Sequence, residues 1–163
     1  MKFAAKRLAV AMCLFMAIAV TSSIASAETL KTFATRAGNL FSTNSHFFIA
    51  LNNSGATSVS FSTAAPNRVM KITYNAECGV LGASGWLSAT IFVDGVQANP
   101  ASGTSFALCT AESTSTFHWA GAVRQSMITV PSPGVHTVQV LIDLNAGATE
   151  WWLGDSSIVV EQQ

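Results

Sequence analysis

Residues 135–144, VHTVQVLIDL, decide the fold: His136, Val138, Val140, Ile142 and Leu144 alternate with Thr137, Gln139 and Asp143. Successive side chains of a β-strand point to opposite faces, so this alternation marks a strand with one buried side and one wetter side. Leu141 falls on the second side, which is therefore not wholly polar. PSPG at 131–134 breaks the chain before this strand, and NAGA at 145–148 turns it afterwards.

The same period recurs on both sides. ATSVSFST (56–63) alternates Val59 and Phe61 with serines, and RVMKITYN (68–75) sets Met70, Ile72 and Tyr74 against Lys71, Thr73 and Asn75. WLSATIFV before Asp94-Gly95 and VQA after it form an expected hairpin, because Asp-Gly supplies the positive φ angles of a primed two-residue turn. TSFALCT, STFHWA and RQSMITV are further β-rich runs, and TEWWL and SSIVVE form a second expected hairpin about Gly154-Asp155. After residue 27 no stretch carries helical periodicity with caps. The expected fold is an all-β, antiparallel β-sandwich, jelly-roll or immunoglobulin-like, with about eight to ten strands. The Pro-Gly turn followed by VHTVQV resembles the jelly-roll and immunoglobulin-like surface proteins, including the globular heads related to complement and tumour necrosis factor. That resemblance implies architecture and carries no site residue with it.

The N-terminus sets the expected compartment. Lys2, Lys6 and Arg7 precede an apolar run from Leu8 to Val20, and Ala25-Ser26-Ala27 offers small residues at a cleavage point. Residues 1–27 are read as a secretory signal, with Cys13 an apolar filler inside it, and the protein as secreted or periplasmic without a stable membrane span. Residues 28–45 are read as an N-terminal strand or arm that could pair with a neighbour's sheet edge, and residues 46–163 as the sandwich domain. Beyond residue 27, five basic residues (Lys31, Arg36, Arg68, Lys71, Arg124) face eight acidic ones, which gives no electrostatic grip on nucleic acid. Cys78 and Cys109 are expected to form one disulfide, because an even pair in an exported domain oxidises. Closing that loop contributes about 3–4 kcal/mol by chain entropy.

Catalytic patterns do not assemble. GASGW (82–86) has Trp86 where a nucleophile elbow needs glycine, and GDSS (154–157) lies too near the C-terminus for a downstream acid and histidine. His46, His118 and His136 share no metal-ligand spacing, and the scattered acids carry no calcium-loop pattern. No catalytic residue, metal or cofactor is therefore assigned. The aromatic residues carry the functional expectation instead. Trp86, Trp119, Trp151 and Trp152 form the candidate binding surface, and the adjacent pairs Phe47-Phe48 and Trp151-Trp152 each send one ring to either face of a strand. The expectation is a non-enzymatic, structural or adhesive subunit that meets another copy of itself, with a monomeric carbohydrate-binding module or lectin as the alternative and a secreted hydrolase as the third.

Overall fold

The computed structural model describes residues 29–100 and 107–163. The secretory signal at 1–27 and Phe106 lie outside the described residues. Eleven strands form: β1 (Thr29–Arg36), β2 (Leu40–Ser42), β3 (Phe47–Phe48), β4 (Val59–Thr63), β5 (Arg68–Gly82), β6 (Trp86–Val93), β7 (Val96–Gln97), β8 (Ala107–Thr110), β9 (Ala120–Val130), β10 (Gly134–Asn145) and β11 (Ala148–Gln162). No described helix is long and apolar enough to cross a membrane.

The strands make two antiparallel sheets packed face to face. Sheet A runs β1-β11-β5-β9, with β2 also on β11; sheet B runs β3-β10-β6-β7, with β4 on β10 and β8 on β6. Their inner faces are the alternate positions that the sequence marks. Sheet A contributes Met70, Ile72, Tyr74, Trp151, Leu153 and Ile158, and sheet B Phe61, Leu87, Ile91, Val138, Val140 and Ile142, all buried. Each such side chain stabilises the fold by about 1.5–3 kcal/mol on leaving water. The Cys78–Cys109 disulfide joins β5 of sheet A to β8 of sheet B across a Cα–Cα distance of 6.2 Å.

The chain crosses between the sheets six times, and two of these corners, β5 to β6 and β10 to β11, pack on each other. At Gly85, where φ is +104°, a Cβ would stand 2.2 Å from the Asn145 carbonyl oxygen, so only glycine fits. The near-elbow serine, Ser84, sits in this corner as a loop residue.

Three local expectations change. Residues 29–42 do not project toward a neighbour; β1 and β2 pair with β11 of the same chain. Gly154-Asp155 is not a hairpin: β11 runs through it as one strand, and the two residues bulge between Leu153 and Ser156 while both halves stay on β5. A two-residue turn and a bulge demand similar backbone freedom, and here the long partner strand decides between them. STFHWA is not a strand either, since β9 begins only at Ala120. The Asp94-Gly95 hairpin forms as expected, with φ of 50° and 78°.

Candidate functional site

The adjacent tryptophans of β11 divide as the pleat requires. Trp151 points inward, only 1% exposed, packs on Phe47 at 5.4 Å between ring centroids, and donates from Nε1 to the Asn44 carbonyl at 2.8 Å. It belongs to the core, which corrects its place among the surface candidates. Trp152 points outward and meets Trp119 at a centroid separation of 3.6 Å. Trp119 in turn stacks on Phe117 at 5.2 Å and 17°, and Phe117 meets Phe41 edge-on at 6.3 Å. Trp86 lies apart, at the start of β6 in sheet B, opposite Thr110 and Asn145. Two of the four candidate tryptophans therefore come together, joined by Phe41 and Phe117.

Register and two glycines build this shelf. Phe41, Trp152 and Gly79 lie side by side across β2, β11 and β5. A Cβ on Gly79 would stand 2.7 Å from the Trp119 ring, so the glycine is the seat on which that ring rests. A Cβ on Gly154 would stand 2.8 Å from the Trp152 ring and 2.5 Å from Oε2 of Glu77, which puts the Glu77 carboxylate at the rim of the shelf. Trp119 remains 50% exposed on top.

An open trough of about 640 Å³ continues from Glu77 across β1, β11, β5 and β9. Thr35, Asn75, Glu77, Val123, Asp155 and Ser157 line it, and the small Gly121 and Ala122 lower its floor. Arg36, nearly buried at its edge, donates to the carbonyls of Gly38, Leu153 and Gly154. Its Nε has no protein acceptor, and leaving such a buried donor unmatched costs about 1–3 kcal/mol. Behind the sheet, burial pushes the Tyr74 phenol up to about 12 against the opposing pull of the Ser156 hydroxyl and the Arg36 charge. That phenol stays neutral at physiological pH.

The outer face of sheet A carries exposed apolar side chains at its two edges, with Thr73, Asn75, Ser157 and the Lys71–Glu161 pair between them. Of nine exposed large apolar side chains among the described residues, six (Leu30, Phe33, Phe41, Trp119, Val123 and Met127) stand on this face. Lys71 and Glu161 pair in its middle at 2.9 Å.

A second polar group stands at the far end of sheet B. His136, buried on β10, places Nδ1 2.7 Å from Asp94 Oδ2 and Nε2 3.2 Å from Thr63 Oγ1 and 3.1 Å from the Ser132 carbonyl. An acid, an imidazole and a hydroxyl in series are the parts of a nucleophilic site. Here the Thr63 hydroxyl is buried, donates to the Ser132 carbonyl, and does not line the neighbouring cavity of about 290 Å³, so the series ties β4, β10 and the β6–β7 turn together. Burial pushes the Asp94 carboxyl up, but hydrogen bonds from His136 and from the Thr137 amide and hydroxyl outweigh it and hold the group below its usual value. The other histidines stand elsewhere, His46 on Asp143 at 2.9 Å and His118 4.0 Å from Glu112. Among the described residues no three metal-ligating side chains converge.

No protein-family model matches the chain, and no curated protein matches it in sequence.

Sequence reasoning passed over Phe41, Gly79 and Glu77. The signal for Phe41 was present in its position between Leu40 and Ser42, where the middle residue of a short strand faces away from its neighbours. Gly79 and Glu77 had none, because their part depends on which strand lies beside them.

Proposed function

We propose that the protein is an exported, non-enzymatic β-sandwich that works by surface contact, as a structural or adhesive subunit at the cell envelope or outside the cell. The working surface is the outer face of sheet A. One observation carries this reading: six of the nine large apolar side chains exposed among the described residues stand on one sheet face, at its two edges and on the aromatic shelf. The disulfide between the sheets fits an oxidising compartment. The low cation count beyond residue 27 keeps nucleic acid out of the reading.

The test compares charge placed on the two outer faces. Phe33→Lys with Val123→Lys on sheet A should abolish surface attachment or self-association, followed by light scattering and by retention on immobilised polysaccharide. Thr90→Lys with Gln139→Lys on sheet B should leave both unchanged. Equal behaviour of the two pairs would remove the reading.

A further inference from the structure

We propose that the aromatic shelf and the adjoining trough of sheet A form a binding site for an uncharged saccharide chain, gripped along its length. The inference rests on the surface-contact reading and names the partner of that surface.

The shape of the shelf selects the ligand. Trp152, Trp119 and Phe117 lie against one another, with Phe117 and Trp119 only 17° from parallel, so the rings fill the space between them. A quaternary ammonium needs rings spread around an open box. Trp119 stays 50% exposed beside Phe117, which leaves part of an indole surface, with its weak negative potential, to a ligand. The matching ligand surface is flat, apolar and edged with slightly positive C–H groups, which describes one side of a pyranose ring.

The polar groups lie where the rim of such a ring would fall. Glu77 reaches the edge of Trp152, and Asn75, Ser157, Thr35 and Asp155 follow along the trough. Carboxylates accept two hydrogen bonds at each oxygen, amides both donate and accept, and serine and threonine hydroxyls turn to suit, so vicinal hydroxyl pairs find partners of either kind.

Charge narrows the class further. Two carboxylates border the trough, and the Arg36 guanidinium is already committed to three backbone carbonyls. Phosphate, sulfate and uronic acid groups would meet net repulsion, whereas neutral sugars would not. The volume lies within the span of about 300–1,000 Å³ usual for small-ligand sites. Yet the trough is open and crosses four strands instead of ending in a closed pocket. A chain can therefore run through it, so internal sugar units are bound and no terminus is needed.

The test uses the purified, disulfide-bonded protein with cellohexaose, chitohexaose, xylohexaose and mannohexaose, with choline as a separate probe. Tryptophan indole NMR signals and calorimetry are read, and each sample is also sedimented. At least one hexasaccharide should move the Trp119 and Trp152 indole signals and leave Trp151 and Trp86 in place. Trp119→Ala should lower its affinity by about tenfold or more while the far-UV circular dichroism and cooperative unfolding are kept. Gly121→Leu gives a second, independent variant, since a Cβ there meets nothing within 4 Å and the added side chain fills the trough without disturbing the core. It should weaken binding while the shelf stays intact. Shifts produced by choline alone would overturn the saccharide assignment. No shift with any hexasaccharide, together with self-association that Val123→Lys abolishes, would also overturn it and leave the surface-contact reading standing with a second copy as partner. No shift and no contact of any kind would remove both.

Discussion

The two outer faces of the sandwich differ although the strands beneath them are alike. The outer side of sheet B shows Ser60, Ser62, Thr90, Thr137 and Gln139, with Val135 exposed beside Ser62 and Trp86 half-buried at the start of β6, while Phe48 and Phe92 close edge-to-face on each other beside the nearly buried Leu141. The outer side of sheet A shows Leu30, Phe33, Val123 and Met127 in the open, then the shelf of Phe41, Phe117, Trp119 and Trp152. Folding alone needs only the inner faces. Sheet A leaves in water apolar side chains whose burial would be favourable. That difference supports the surface-contact proposal.

The contrast can be broken from several directions. The largest effect belongs to the strand whose sides are most unlike: Trp151→Ala should cost about 3–5 kcal/mol of stability in urea unfolding, because it empties the core. Trp152→Ala one residue later should cost about 1 kcal/mol or less while removing the shelf. Comparable losses at both positions would mean that Trp152 serves the fold rather than the surface. Reduction of Cys78–Cys109, which staples the two sheets, should lower stability by about 2–4 kcal/mol, with the transition still cooperative. Gly79→Ala should cost about 1–3 kcal/mol by forcing Trp119 off its seat, visible as a red shift of tryptophan emission. Thr90→Ala on the outer face of sheet B should change stability by about 0.5 kcal/mol at most.

The smallest effect concerns acid. The Asp94 carboxyl is held below its usual value in the folded state, so its contribution is present above the unfolded value, about pH 4, and is lost as pH falls through the folded one. Asp94→Asn should therefore flatten the fall of melting temperature below about pH 4, while lowering it modestly at pH 7. An unchanged acid limb would detach Asp94 from the knot around His136.

The alternation in residues 135–144 and 68–75 announced the inner faces, since burial on one side of a strand leaves a period of two in any sequence. Trp151-Trp152 could be divided in advance into one inward and one outward ring for the same reason, though not into which was which. The expected turn at Asp94-Gly95 formed, and the similar Gly154-Asp155 became a bulge because β5 is long enough to pair with both sides of it. The candidate surface was half legible. Trp119 and Trp152 were named, whereas Phe41, Gly79 and Glu77 became part of it only when β2, β11 and β5 were laid side by side.

By itself the sequence determined most of the strands, the two cysteines that join, and the shortage of cations beyond residue 27. These follow from local geometry and composition, which act over a few residues or over the chain as a whole. The tertiary structure alone decided that Trp119, from a loop, would lie on a glycine of β5 beside a tryptophan of β11, with a carboxylate at the rim. Trp119 meets Gly79, 40 positions before it, and Trp152, 33 positions after it, through strand order and register, and neither is written in the alternation of any single strand.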